Sequence, residues 1–316
     1  MTIILIGISI ILFFTIVSGL YVFLIGFVRK SNVSWLIESE IRQTPFGKHY
    51  PQILAADQWL QRHEAQGVSI VSSDGLRLHG LWVPAENSIG TVLLVHGYRS
   101  TYLLDFGPAF ARYHEMGFNL LIPEQRAHGE SQGKLITFGI KESDDMLQWC
   151  NYHNEHLSDC EIVLSGLSMG ASTVIYMLGR DLPSNVRGII ADCGFTSPKA
   201  ILQSVFCKTT HLPAEPSLLV VDLLTRLFAG FSISQFDSQK ILQQASIPIL
   251  LIHGMQDGFV PREMSQLAFN ACISDKDILL VDGADHGESF LVEPERYVFK
   301  VKYFLEKKLG FKLRKD

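Results

Sequence analysis

Residues 161–172 read EIVLSGLSMGAS, an apolar run that ends in the pentapeptide Gly166-Leu167-Ser168-Met169-Gly170. The run is typical of a buried strand, and a helical pattern follows it over residues 169–180. A Gly-x-Ser-x-Gly sequence between a strand and a helix is the pattern of a nucleophile elbow, a tight turn that holds a serine hydroxyl above the edge of a sheet. The pattern therefore predicts Ser168 as a nucleophile.

Short β-branched runs and longer helical patterns alternate on both sides of this pentapeptide. The predicted strands are residues 68–72, 76–83, 91–96, 119–123, 161–165, 188–191, 247–253 and 277–281. The predicted helices are residues 103–116, 140–156, 169–180, 262–273 and 293–309. This alternation predicts an α/β fold with a mainly parallel sheet and helices on both faces. The first two strands are expected to form a hairpin around Asp74-Gly75.

Residues 198–244 interrupt the alternation, because they contain no convincing strand. The segment is too long for a structureless loop inside a compact domain, and its leucine- and valine-rich part from Leu218 to Leu224 has a helical pattern. We therefore expect a helical lid over the sheet edge that carries Ser168. Its apolar face is predicted to line an acyl site.

A serine hydroxyl needs a base, and in this topology the acid and then the histidine follow the serine along the chain. Three histidines come after Ser168, namely His211, His253 and His286. His286 is the predicted base because it follows the last predicted strand.

Two aspartates are candidates for the acid that orients the base. Asp257 and Asp192 each lie directly after a predicted strand. Asp257 is favoured, since it lies on a longer turn whose neighbour Gly258 lets it reach across the sheet edge. Asp192 remains the alternative.

Two backbone amides are predicted to form an oxyanion hole. The N–H of Met169 is at the start of a helix, and the N–H of Tyr98 lies in the loop after the third strand. His96 precedes this loop, but no second histidine or carboxylate stands at metal-ligand spacing from it. The sequence predicts neither a metal nor a cofactor. The polar residues 124–131 are interpreted as a structural loop, with substrate binding as the alternative.

The N-terminal segment has no charged residue between Thr2 and Val28, and Arg29-Lys30 closes it. As a helix it would be about 40 Å long, against a hydrocarbon core of about 30 Å. Residues 1–30 are therefore predicted to be a retained transmembrane anchor, with a cleaved signal peptide and a buried helix as alternatives. Positive charges after the span predict that the main domain (67–316) lies in the cytoplasm, with residues 31–66 as a connector.

Composition excludes several other classes of protein. The 316 residues carry a formal net charge of −5, which argues against nucleic-acid binding. The five cysteines are scattered without a Cys-x-x-Cys pair, so neither a disulfide framework nor a zinc ribbon is expected. The basic residues at the C-terminal end (Lys307, Lys308, Lys312, Arg314 and Lys315) are interpreted as a solvated helix end, with contact to anionic lipid headgroups as the alternative.

From about Gly67 to Gly310 the chain resembles the α/β-hydrolases, and among them the bacterial membrane-anchored branch near esterases and serine aminopeptidase-like hydrolases. The resemblance rests on five motifs: His96-Gly97, residues 126–131, residues 166–171, residues 257–261 and Asp285-His286. It departs at Glu124, where the family often has aspartate. It implies an eight-stranded sheet with a cap after the sixth strand.

The family includes esterases, thioesterases, peptidases and acyltransferases, so the resemblance does not identify a substrate. We expect a serine hydrolase that cleaves a small acyl or lipid-like carboxylic ester. The alternatives are a peptidase or amidase, an acyltransferase, and a catalytically silent membrane-anchored binding protein.

Overall fold

The structure is a computed structural model that describes residues 2–30, 41 and 45–314. Its strands are β1 (Gln66–Val71), β2 (Arg77–Val83), β3 (Gly90–Val95), β4 (Phe118–Pro123), β5 (Ile162–Leu167), β6 (Val186–Asp192), β7 (Ile249–Gly254) and β8 (Lys276–Val281). Its α-helices are α1 (Thr2–Phe27), α2 (Tyr50–Arg62), α3 (Tyr102–Phe106), α4 (Phe110–Glu115), α5 (Ile140–Tyr152), α6 (Met169–Met177), α7 (Pro198–Thr210), α8 (Glu215–Ala229), α9 (Ser238–Leu242), α10 (Glu263–Ala271), α11 (Ser289–Val292) and α12 (Pro294–Tyr303).

All eight strands form one sheet in the order β1-β2-β4-β3-β5-β6-β7-β8. The pairings β1–β2 and β2–β4 are antiparallel, and the other five are parallel. Strands β3, β4, β5 and β7 are buried at every position, because helices cover both faces of the sheet. The predicted mainly parallel sheet is confirmed, and so is the hairpin around Asp74-Gly75, where Gly75 has a φ of +83°.

Three predicted helices differ in detail from those of the structure. The predicted helix 103–116 is broken by a 3₁₀ turn at Gly107–Ala109, because Pro108 has no N–H to donate and Gly107 packs closely against α2. A Cβ at position 107 would lie 2.6 Å from the Cβ of Ala56. The helices predicted over 140–156 and 293–309 each change to a turn of π-helix, at His153–Leu157 and Phe304–Lys308.

A helical insertion lies between β6 and β7, as predicted for the lid. It contains α7, α8 and α9, which together span most of residues 198–242. The Ser197 hydroxyl caps α7 by accepting the N–H of Ala200 at 3.1 Å. Helix α8 ends at Gly230, whose φ of +74° suits a left-handed C-terminal cap.

The C-terminal half of α1 packs against the lid helix α8. The Ser18 hydroxyl lies 2.6 Å from that of Ser217, and a Cβ at Gly19 would lie 2.5 Å from the Cβ of Val220. Further along α1, Phe23 and Phe27 are buried. The two helices are thus in contact along several turns.

The N-terminal half of α1 is mostly exposed. By length and composition, Thr2–Phe27 is able to cross a membrane, although a signal sequence or a core helix meets the same criterion. After α1, the chain stays in contact with the α/β domain, because Val28 pairs with Leu135 and the Arg29 N–H donates to the carbonyl of Lys134 at 2.8 Å. Of the predicted connector 31–66, the structure describes Ile41 and the residues from Pro45 onward, which include a 3₁₀ turn at Pro45–His49 and α2.

Candidate active site

Ser168 occupies a sharp turn between β5 and α6. Its φ is +55° and its ψ is −116°, a backbone conformation that is rare for a residue with a side chain. The turn is possible only because both flanking glycines lack a Cβ. A Cβ at Gly166 would lie 2.2 Å from the carbonyl oxygen of Gly170, and one at Gly170 would lie 1.8 Å from the carbonyl oxygen of Val95. The local geometry is that of a nucleophile elbow.

His286 lies on the loop after β8 and contacts Ser168. Its Nε2 is 2.9 Å from the Ser168 Oγ, and its Nδ1 is 2.7 Å from Oδ2 of Asp257. Because a carboxylate can only accept, Nδ1 carries the proton and Nε2 is free to accept from the serine hydroxyl. Such a chain of hydrogen bonds allows His286 to take a proton from Ser168.

Asp257 is held in place by four donors. Its Oδ1 accepts the backbone N–H groups of Phe259 and Val260, each at 2.8 Å, and its Oδ2 faces His286 and His253. Burial alone would raise the pKa of this carboxyl. The hydrogen bonds from the two histidines, the charge of His286 and the Phe259 N–H outweigh burial and keep the pKa well below its usual range. Asp257 is therefore a carboxylate at neutral pH.

Asp192, the alternative acid, lies nearby but contacts other groups. Its Oδ1 accepts a hydrogen bond from the hydroxyl of Ser289 at 3.2 Å, and its backbone carbonyl accepts the N–H of Ser168 at 2.8 Å. Burial raises the pKa of its carboxyl to about 6. Of the two candidate acids, the structure brings Asp257 to the ring of His286.

His253 is part of this arrangement, although the sequence suggested only that it ends a strand. Its Nε2 is 3.1 Å from Oδ2 of Asp257 and 3.1 Å from the carbonyl of Val260, so this nitrogen carries the proton. Its Nδ1 then accepts from the hydroxyl of Ser265 at 2.7 Å. The only sequence signal was a histidine four residues before the acid. Because a strand ends and a turn begins between these two residues, this spacing does not predict the directions of their side chains.

The two predicted oxyanion donors flank Ser168. Met169 follows it at the first position of α6, and the loop of Tyr98 passes so close that a Cβ at Gly97 would lie 3.2 Å from that of Ser168. Among the described residues, neither amide is engaged in a turn, loop or side-chain hydrogen bond. Both N–H groups are thus available to a ligand at the serine.

Asp105 fixes the loop that carries Tyr98 and was not predicted from the sequence. Its carboxyl accepts the N–H of Gly97 at 2.6 Å and the hydroxyl of Ser100 at 2.5 Å. Burial raises its pKa to about 6, although both hydrogen bonds oppose that rise. His96 fixes the start of the same loop, with Nδ1 bonded to the Gly97 carbonyl and Nε2 accepting from the N–H of Gln125. With both nitrogens engaged, His96 is unsuited to ligate a metal.

The polar loop at residues 124–131 is tied to the protein by internal hydrogen bonds. Arg126 is buried and forms a two-pronged contact with Asp145, at 2.6 and 2.7 Å, and a second one with Asp74. His128 accepts the N–H of Arg99 at 2.9 Å, and Glu124 accepts that of Glu130 at 2.7 Å. These bonds favour the structural interpretation of the loop over substrate binding.

A groove of about 990 Å³ leads away from Ser168 between α1 and the lid. This is the upper end of the usual range for a ligand site of about 300–1,000 Å³. Most of its surface is apolar. Tyr98, Phe138, Phe195 and Phe259 line it beside Ser168, together with side chains from α1, α7 and the α7–α8 turn.

One cluster of possible metal ligands lies within the described residues, and it overlaps the candidate active site. Cys193, Asp257 and His286 offer ligand atoms within 4.8 Å of one another. Burial holds the pKa of Cys193 well above its ordinary value, so its thiol is protonated and a poor ligand. Asp257 and His286 are already bonded to each other, and the absence of a metal stays a prediction.

Comparison with known proteins agrees with this geometry. Residues 90–207 match the family described as the alpha/beta hydrolase fold. Two solved structures of the Pyrococcus furiosus esterase Pf2001 are similar to this chain, and both alignments cover 79% of it. The first has a TM-score of 0.64 at 24% identity and covers 94% of the esterase chain. The second has a TM-score of 0.61 at 26% identity and covers 93% of the esterase chain. The chain therefore has the α/β-hydrolase fold.

Two curated relatives match most of this chain. The protein YqkD of Bacillus subtilis is 24% identical over 249 residues, which is 78% of this chain and 81% of YqkD. The membrane protein YNL320W of Saccharomyces cerevisiae is 23% identical over 263 residues, which is 77% of this chain and 85% of the yeast protein. Both similarities extend well beyond the nucleophile elbow.

Proposed function

We propose that this protein is a serine hydrolase that cleaves a carboxylic ester through an acyl-enzyme. The observation that carries the proposal is the hydrogen-bonded chain from Ser168 through His286 to Asp257, at 2.9 and 2.7 Å. Such a chain activates a hydroxyl that is otherwise a weak nucleophile. A binding protein without activity has no need of it.

In the proposed reaction, Ser168 Oγ attacks the acyl carbon while its proton passes to Nε2 of His286. Asp257 holds the imidazole and stabilises its charged form, and the N–H groups of Tyr98 and Met169 stabilise the oxyanion. His286 then gives the proton to the leaving alcohol. Water, deprotonated by His286, attacks the acyl-enzyme and releases the carboxylic acid.

The groove favours an ester with an acyl chain over a peptide. A peptidase that binds a substrate amine needs a free acidic group, and the lid helix α8 carries Glu215 and Asp222. Glu215 pairs with Lys199 at 3.1 Å, and Asp222 bonds Arg226 and the hydroxyl of Ser232. With both carboxylates engaged elsewhere, an apolar acyl chain suits the groove better.

We further propose that α1 is a retained membrane anchor and that the hydrolase domain lies in the cytoplasm. The packing of Gly19, Phe23 and Phe27 into the body supports retention, because cleavage near Gly19 would cut through a packed segment. The yeast relative's description as a membrane protein agrees with an anchor. Arg29 and Lys30 after the span favour the cytoplasmic orientation.

A fluorophosphonate probe and a panel of acyl esters test the proposed activity. The full-length protein should react with the probe and hydrolyse esters, and Ser168→Ala should do neither. Ser172→Ala is a matched control, because this buried serine lies one turn further along α6 and bonds the Phe195 backbone instead. Equal activity in the wild type and Ser168→Ala would contradict the proposal.

A further inference from the structure

The N-terminal helix forms a long wall of the groove that starts at Ser168. Nine residues of α1, from Ile10 to Gly26, line it. At 1.5 Å per residue, the lined length of the helix is about 24 Å. Such a length suits an extended acyl chain, whereas a compact polar substrate would leave most of the groove empty.

Ser168 lies at the C-terminal end of this wall. The hydroxyl of Tyr98, whose amide flanks Ser168, donates to the carbonyl of Gly26 at 2.9 Å. Arg29, the first positive charge after the span, follows Gly26 by three residues, just beyond the end of α1 at Phe27. In a bilayer, ester groups lie between the hydrocarbon core and the headgroups. If Arg29 and Lys30 lie at the level of the headgroups, Ser168 therefore lies at the depth of the lipid ester groups.

The other end of the groove lies at the N-terminal half of α1, the part of the helix that would lie in the hydrocarbon core. Its rim residues Ile10, Ile11 and Phe14 are exposed by 51%, 68% and 64%. The outer face of the adjoining lid helix α8 is apolar as well, with Leu219 and Leu223 exposed by 70% and 56%. Exposed apolar surfaces of this kind on two packed helices are typical of membrane contact.

The lining also restricts the charge of the substrate near its ester. Arg99 is the one charged side chain among the described lining residues. Its guanidinium already donates to the carbonyls of Ile25 and Val28 at the end of α1. Since this cation is partly engaged and the rest of the described lining is mostly apolar, a lipid without a charge beside the scissile ester suits the groove better than one with a phosphate there.

From these observations we propose that α1 and the lid together form the acyl site, and that the substrate is an uncharged long-chain glyceride taken sideways from the bilayer. The inference rests on the proposed serine hydrolase activity. The acyl chain lies along α1 with its ester carbon at Ser168. The bond between acyl carbon and glycerol oxygen breaks, the glycerol oxygen takes the proton held by His286, and water completes the release of the fatty acid.

One test compares two ways of presenting dioleoylglycerol to the full-length protein. In the first, enzyme and dioleoylglycerol share vesicles of ether-linked phosphatidylcholine, which contains no ester. In the second, they are in separate vesicles. Confinement to one bilayer should raise the rate of oleate release about tenfold or more. Equal rates would overturn lateral access.

A second test blocks the groove midway along α1. Thr15 lines the groove, whereas Val17 is 46% exposed and lies outside it. The measured quantity is the ratio of two values, kcat/KM for dioleoylglycerol divided by kcat/KM for an acetyl ester. Thr15→Trp should lower this ratio about tenfold, which corresponds to the loss of fewer than two buried methylene groups. The matched control Val17→Trp should keep the wild-type ratio. Equal ratios in the two variants would overturn the role of α1.

The two proposals fail in different ways. If the acetyl ester is hydrolysed and the probe labels Ser168, but dioleoylglycerol is not cleaved, the glyceride inference is wrong and the serine hydrolase stands. If neither ester is hydrolysed and Ser168 stays unlabelled, the proposed function itself is wrong.

Discussion

His253 and Asp257 are hydrogen-bonded, with Nε2 of the histidine 3.1 Å from Oδ2 of the aspartate and neither side chain exposed to solvent. The same oxygen faces His286 at 2.7 Å. Two imidazoles thus share one carboxylate oxygen. His253 is a positioning residue in the proposed mechanism, since it reaches the reaction only through Asp257.

His253→Phe should lower kcat by roughly ten- to hundredfold with a smaller change in KM. The variant removes one hydrogen bond to a charged group, which contributes about 1.5–3 kcal/mol, and leaves substrate contacts intact. Steady-state kinetics on a short ester measures the split. Ser265→Ala is the control, because it removes the partner of the other ring nitrogen and keeps the bond to Asp257. A His253→Phe enzyme with wild-type kcat would show that the bond has no role in orienting Asp257.

Asp257→Asn should reduce kcat by about 10⁴, as in other enzymes that lose the acid of such a triad. An amide in this position can no longer hold the tautomer of His286 in which Nε2 accepts from Ser168. Asp192→Asn is the matched comparison, and its effect should be much smaller because Asp192 bonds Ser289 instead. A large loss in Asp192→Asn beside a mild one in Asp257→Asn would reverse the assignment of the acid.

Arg126→Ala should lower the free energy of unfolding by about 3–5 kcal/mol, because it leaves the buried carboxylate of Asp145 unpaired. Chemical denaturation monitored by circular dichroism measures this loss. Arg180→Ala is the control, since Arg180 pairs with Asp144 in a more exposed place and should contribute only about 1 kcal/mol.

The loss in Arg126→Ala should also depend on pH. Burial raises the pKa of Asp145 to about 6 even with Arg126 present, and removing the arginine raises it further. A raised carboxyl pKa lowers stability as the pH rises from the unfolded value of about 4 through the folded value. The difference between variant and wild type should therefore shrink below about pH 4 and grow above pH 6. A difference that is the same at all pH values would mean that lost packing, and not the carboxylate, is responsible.

The N-terminal helix should stay attached and leave the C-terminal end in the cytoplasm. A reporter that is active only outside the cytoplasm should be silent when it is fused to the C-terminus. Mass spectrometry of membrane fractions should recover peptides from α1. A cytoplasm-active reporter at the same position is the control. An active external reporter, or a mature chain that begins near Gly19, would contradict the proposed topology.

Much of the fold could be predicted because its signals are local. Most of the strands are apolar runs and the first two flank the turn signal Asp74-Gly75, so all eight could be predicted, although their bounds differ by one or two residues. The elbow carries an even sharper signal, since the close approaches at Gly166 and Gly170 exclude any side chain. The elbow motif led to Ser168, and chain order together with the positions after predicted strands led to His286 and Asp257. The structure hydrogen-bonds those three side chains; their catalytic roles stay predictions.

Other features depend on contacts that no local pattern shows. An apolar helix such as α1 is uniformly hydrophobic, so its sequence does not reveal that the face with Gly19 and Phe23 packs against α8. The groove that α1 lines was missed for the same reason. Asp105 gave no signal, and the position of His253 four residues before Asp257 was not sufficient, because each acts on a residue of a loop whose course is set by the whole sheet.

The most direct test of the central claim is the site of covalent modification by a fluorophosphonate. The purified full-length protein is labelled, digested and analysed by tandem mass spectrometry, with heat-denatured protein as the control. We predict one phosphonate adduct, on Ser168 of the native protein, and none after denaturation, because only the folded chain joins Ser168 to His286 and Asp257. An adduct on another residue, or no adduct on native protein that still hydrolyses esters, would contradict the account.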